Sequence, residues 1–311
     1  MSTAIVLSGG SVKGAFQAGA LQVVLDAGKV PSFLSGISVG SLNALFVAYE
    51  AGRQQEEGGV DWPKVGHALT NFWTERVHGP SDLVKERSWL ARGWAAITSH
   101  WEGLVDTTPL RKLIESTITE PRWLQQSPVE LSVGLVDYYR STISYFGKSD
   151  PEILDAVVGS AAIPAVMPAA TVKGAVCFDG GLRDVAPLRP AMKANPDEVV
   201  VIACQPENAR QYPVGDPRID HRNLIKLLEH MTDIMVSEIV NDDIQLARLT
   251  NQLIEQGLGQ GVEFLQNKHH RPLTVIRPAE EIPVDITNFD ESGIAQMLEL
   301  GRSRAREALG L

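Results

Sequence analysis

Two glycine motifs, one of them framing a serine, and one distant aspartate supply the residue types that acyl transfer requires. Gly36-Ile37-Ser38-Val39-Gly40 has the G-x-S-x-G spacing of a nucleophile elbow. Small neighbours there let a sharp, strained turn push the serine hydroxyl into the open. Upstream, Gly9-Gly10-Ser11-Val12-Lys13-Gly14 stands between an apolar run and a helical stretch. Glycines in such a loop permit positive φ and let main-chain N–H groups face a negative charge at a helix N-terminus. A Walker loop would need Lys-Ser or Lys-Thr at its end, and Ala15-Phe16 follows Gly14 instead. A dinucleotide fingerprint would need glycine where Ser11 stands and an acid closing the next strand, which ends on Ile37-Ser38. The remaining functional reading is an oxyanion hole. A tight turn with no ligand would use the same glycines, and a lone G-x-S-x-G is common. Adjacency favours the functional reading, because consecutive strand-to-helix turns of a parallel sheet open at the same edge.

A serine nucleophile needs a base. The order Ser38, Asp179, then His269 or His270 would satisfy an α/β-hydrolase triad, but that fold sets several strands before its elbow. The two histidines also sit in the polar run Gln266–Arg271, which reads as a solvated loop. Asp179-Gly180-Gly181 is the better candidate: it ends the apolar strand Ala175–Phe178, which should carry the carboxylate to the strand's C-terminal edge near Ser38. An aspartate merely opening a turn would look the same.

The elements that must hold these residues follow from periodicity. Ala4–Leu7 and Phe33–Ile37 read as strands, and Ala15–Ala27 and Leu42–Ala51 as helices, the rhythm of a parallel sheet with covering helices. Residues 53–63 read as a polar loop, and 64–126 as mostly helical. Strands are expected at Leu131–Tyr139, Ser141–Phe146, Thr171–Phe178, Glu198–Cys204 and Leu273–Ile276, with a short helix at Glu152–Ala162. A long helix over 219–256 shows an apolar stripe of Leu224, Leu228, Met231, Met235, Ile239, Leu246 and Leu249, and a last helix covers 291–309.

Composition narrows the classes. The 311 residues carry 28 Lys+Arg against 38 Asp+Glu, a net charge of −10 that disfavours nucleic-acid binding. The two cysteines, Cys177 and Cys204, match no metal spacing and read as reduced buried thiols. No basic leader and no apolar run of membrane-spanning length is visible, so a cytoplasmic protein is expected.

Taken together and in this order, the glycine loop with Lys13, the Gly36–Gly40 elbow and Asp179-Gly180-Gly181 resemble the patatin-like phospholipases, lipid acyl hydrolases. Ser160-Ala161-Ala162-Ile163-Pro164, Asp184-Val185-Ala186-Pro187 and Asp106–Leu113 support the likeness, while Ser11 departs from it where the family usually has a third glycine. The resemblance implies a three-layer α/β fold with a mostly parallel central sheet and helices on both faces. It places a catalytic domain over residues 3–205 and a mostly helical C-terminal extension, 206–311, packed on it. It makes Ser38 the nucleophile and Asp179 its partner in a Ser-Asp dyad. Gly36 and Gly40 frame the elbow, Gly180 and Gly181 the acid loop, and Gly9, Gly10, Ser11, Val12, Lys13 and Gly14 the oxyanion hole. Neither a metal nor an organic cofactor is implied; the expected partner is a lipid or acyl-ester substrate. Leu90, Trp94, Ile97, Trp101 and Leu104 fall at helical spacing, suited to packing on the sheet around an acyl pocket or to peripheral membrane contact. A Ser-His-Asp esterase and a non-catalytic nucleotide-binding module are the rival readings.

Overall fold

A computed structural model describes residues 1–86, 103–222, 224–258, 269–284 and 289–311. The chain opens with β1 (Thr3–Leu7), α1 (Gly14–Asp26), β2 (Pro31–Ile37) and α2 (Val39–Glu56). It continues through α3 (Trp62–Arg76), the short pair β3 (Lys85–Glu86) and β4 (Val105–Asp106), α4 (Thr108–Thr117) and α5 (Pro121–Gln126). Then come β5 (Glu130–Asp137), β6 (Thr142–Phe146), α6 (Ile153–Ser160), β7 (Ala170–Val172), β8 (Ala175–Asp179), α7 (Leu188–Lys193) and β9 (Glu198–Ile202). The long α8 (Leu224–Glu255), β10 (Leu273–Ile276) and α9 (Glu291–Leu309) complete it.

The central sheet runs β10-β9-β1-β2-β5-β8-β7, with β6 also paired to β5. From β10 to β5 every pairing is parallel, whereas β6, β7 and β8 pair antiparallel. Strands of a sheet covered on both faces are apolar throughout, and β1 and β9 are buried along their whole length. Alternation along β1 sends Ile5 and Leu7 toward the core around α1 and α2, and Ala4 and Val6 toward Val185, Leu188, Val240 and Ile244 on the other face. That gives three layers. Helix α1 is buried on almost every side because it lies inside its layer, packed by α3 and α9 as well as the sheet. Residues beyond 205 contribute β10 to the sheet edge and α9 to this packing.

Three expectations change. The polar stretch 53–63 is helical at its start, since α2 continues to Glu56; Arg53 pairs with both Glu50 and Glu57 there, which supports the extra turn. The single strand expected over Thr171–Phe178 is a hairpin, broken at Lys173 (φ 49°) and Gly174 (φ 75°). The stripe on the long helix does not mark its packed face. Met231, Met235, Leu246 and Leu249 are about half exposed, and the helix packs through Val240, Ile244 and Ala247 on its opposite side. Ile239 is partly buried, and the side chains of Leu224 and Leu228 lie outside the described set. Leu90, Trp94, Ile97 and Trp101 also lie outside the described residues; Leu104 packs against the core.

Candidate active site

The meeting of Ser38 and Asp179 follows from how three strands share one neighbour. Strand β5 pairs with β6 through Val133–Asp137, with β2 through Glu130–Gly134 and with β8 through Leu135–Asp137. A strand has two edges, and β6 overlaps both of the others. Therefore β2 and β8 lie end to end along the remaining edge of β5. Ile37 is opposite Gly134 and Asp179 is opposite Leu135, the next residue. Ser38 leaves the end of one strand where Asp179 finishes the other, and their side chains are within hydrogen-bonding reach. Asp179 does end its strand beside Ser38, as expected, but that strand runs antiparallel to β5 within the same sheet.

Ser38 has φ 54° and ψ −128°, strained for a residue with a Cβ. Neighbouring bonds hold it there. Its N–H donates to Ser160 Oγ at 2.9 Å, Ser160 donates on to Gly134 O at 2.6 Å, and Ser38 O accepts from Ser41 N and Oγ. The turn also needs Gly40, where a Cβ would lie 2.3 Å from Leu7 O. Asp179 is fixed at both ends: its N–H donates to Ala162 O at 2.9 Å, and its Oδ1 accepts from Gly181 N at 2.7 Å. Burial pushes its carboxyl up to about 6, against the opposing hydrogen bonds from Gly181 and Ser38.

The glycine loop divides by hydrogen bonding. Gly9 N is taken by Val185 O, Lys13 N by Gly10 O, and Gly14 N by Ser11 O and Val12 O. Among the described residues the N–H groups of Gly10, Ser11 and Val12 have no acceptor. The loop borders the serine, since a Cβ on Gly9 would be 3.5 Å from that of Ser38. Ser11 keeps the turn at φ 53°, a conformation glycine adopts more readily. Lys13 is buried beside the loop, and Cys204 lies beneath it with its thiol pushed up to about 12 by burial, which makes it a packing group and not a nucleophile. Both cysteines are free and buried.

An apolar cleft of about 500 Å³, its open mouth included, runs from Ser38 and Ser11 between Leu42, Trp73, Leu110 and Met167. The histidines are elsewhere. His269 and His270 precede the first residue of β10, at the end of the sheet opposite Ser38, and His270 pairs with Glu255 at 2.9 Å. They cannot complete a triad. Ser160 was legible only as part of a supporting stretch, and nothing in the local sequence marks its bond to the serine amide. A second buried carboxylate near the site, Asp184, shares a cluster with Tyr145 and Asp243, and Asp243 also accepts from Ala186 N, so the acid loop is tethered to α8.

The sheet thus brings Ser38, the glycine loop of residues 9–14 and Asp179 to one edge. The patatin-like phospholipase profile matches residues 5–192, and the chain belongs to that family of lipid acyl hydrolases. The crystal structure of VipD from Legionella pneumophila is similar over 99% of this chain and 66% of its own, at 13% identity and a TM-score of 0.44. The chain thus spans a little under two thirds of that structure's length. No curated protein matches the sequence. No helix among the described residues is long and apolar enough to cross a membrane.

Proposed function

We propose that the protein hydrolyses carboxylic esters of lipids through an acyl-enzyme on Ser38, with Asp179 as the base. The observation that carries this reading is the end-to-end approach of β2 and β8, which brings Ser38 and Asp179 together beside three amides that have no acceptor among the described residues. Asp179 takes the hydroxyl proton as Ser38 Oγ attacks the carbonyl carbon. The resulting oxyanion receives the N–H groups of Gly10, Ser11 and Val12. Collapse expels the alcohol, which leaves with the proton from Asp179. Water then attacks the acyl-enzyme by the same route in reverse. The cleft beside Ser38 is almost wholly apolar, which suits an acyl chain, and entry of such a chain implies contact with a lipid surface during turnover. Since the base acts ionised and its carboxyl sits near 6, turnover should fall as pH drops below that value.

A panel of diacyl phospholipid, lysophospholipid and short soluble esters, assayed with Ser38→Ala alongside, tests the reading. The variant should stay folded and lose at least about a hundredfold in turnover, as removal of a nucleophile does. Residual activity above a tenth of wild type would refute the assignment.

A further inference from the structure

The amides of an oxyanion hole must be aimed before the substrate arrives, and the structure shows what aims one of them. The peptide unit joining Gly9 to Gly10 is planar and trans, so its C=O and N–H point in opposite directions. Gly9 O is held by two buried side chains: Gln205 Nε2 donates to it at 3.0 Å and Ser8 Oγ at 2.9 Å. Both donors lie on the side away from the free N–H of Gly10. The backbone of Gln205 is itself anchored, because its main-chain carbonyl accepts from Arg277 Nε at 3.1 Å, and Arg277 donates to Asn241 Oδ1 on α8 at 2.8 Å. The loop has no room to shift toward this side, since a Cβ on Gly10 would fall 2.3 Å from Cys204 Cβ.

We propose that Gln205 is a positioning residue of the oxyanion hole: by holding Gly9 O it turns the Gly10 N–H toward the oxygen of the carbonyl group whose carbon Ser38 attacks. Gln205 lies outside the stretch that matches the family, residues 5–192. The proposal rests on the reading of Ser38 and Gly10 given above. It also gives the C-terminal part of the chain a role in the chemistry, through Arg277 and Asn241.

Steady-state kinetics on a soluble ester, inhibition by a trifluoromethyl ketone and melting temperature test it on the full chain. The inhibitor's hemiketal oxygen would occupy the same amides as the oxyanion. Gln205→Leu keeps the size and removes the donor. It should lower kcat by about tenfold to a hundredfold, less than the 10²–10³ for loss of a direct donor, with KM within about twofold. Ki for the ketone should rise by a similar factor. Gln205→Glu, which replaces the donor by an acceptor, should do the same if the leucine variant fails to fold. Ser8→Ala, which removes the other donor to the same carbonyl, should give a loss of the same pattern. A folded Gln205 variant with unchanged kcat and Ki overturns the proposal, and so does one whose KM alone rises. Wild-type protein that cleaves no ester overturns the underlying reading instead.

Discussion

Around Ser38 the chain buries polar side chains and links several of them into one hydrogen-bonded frame. The serine amide is held by Ser160, Ser160 by Gly134, and the carboxylate of Asp179 by Gly181. Along the outer face of α8 it does the reverse, leaving Met231, Met235, Leu246 and Leu249 half in water. Both regions carry regular sequence patterns. In the first, pattern and environment agree, because glycines at fixed spacing dictate backbone geometry whatever surrounds them. In the second they part, because a 3.6-residue period says which side chains share a face and not whether anything covers it. The covered face of α8, Val240, Ile244 and Ala247, is shorter and less conspicuous in the sequence than the open one.

The largest expected effect tests the first region. Asp179→Asn should cut turnover by about 10²–10⁴, the usual contribution of a general base. Its effect on stability should have the opposite sign. The folded protein holds this carboxyl near 6, against 3.8 for an unperturbed one. The folded state therefore binds the proton more tightly than the unfolded chain. The contribution of this carboxyl to stability is therefore most favourable below about pH 4, is lost as pH rises toward 6, and stays lower above it by about 3 kcal/mol, from 1.36 kcal/mol per pH unit. Asparagine removes that cost, so the variant should melt higher than wild type near pH 7.5, with the difference vanishing near pH 4. A variant that melts lower at both pH values would mean the carboxylate holds the Gly180-Gly181 turn together.

A smaller contrast separates the two faces of α8. Ile244→Ala should destabilise by about 2–4 kcal/mol, as loss of a fully buried isoleucine does. Met235→Gln with Leu246→Gln should stay within about 0.5 kcal/mol each, as exposed substitutions do. Equal losses on both faces, measured by denaturant unfolding, would show that the outer stripe is covered in solution.

Smallest of all is the effect expected of His269→Gln with His270→Gln. Turnover of a soluble ester should stay within about threefold, because both residues lie at the far end of the sheet. A loss of the 10²–10⁴ typical of a histidine base would restore the triad.

Much of the candidate site's backbone geometry is legible in the sequence because it is local. The strained turn at Ser38 and the free amides of the first loop come from glycines within a few residues of them, and the parallel β1-α1-β2-α2 start follows from alternating short apolar runs and helical periods. What could not be read depends on contacts between distant segments. Nothing in Ala175–Phe178 says that this strand runs antiparallel to β5 and stops head-on against β2. Likewise, the roles of Ser160 and Gln205 exist only once α6 and the end of β9 are placed beside the two loops.

The central claim is that Ser38 is a nucleophile activated by its neighbour across the strand junction. It is tested most directly by labelling the protein with a fluorophosphonate probe and mapping the modified peptide by mass spectrometry. A single adduct on Ser38 is expected, absent from Ser38→Ala and formed far more slowly in Asp179→Asn. An adduct on another residue, or equal labelling of Ser38→Ala, would contradict it.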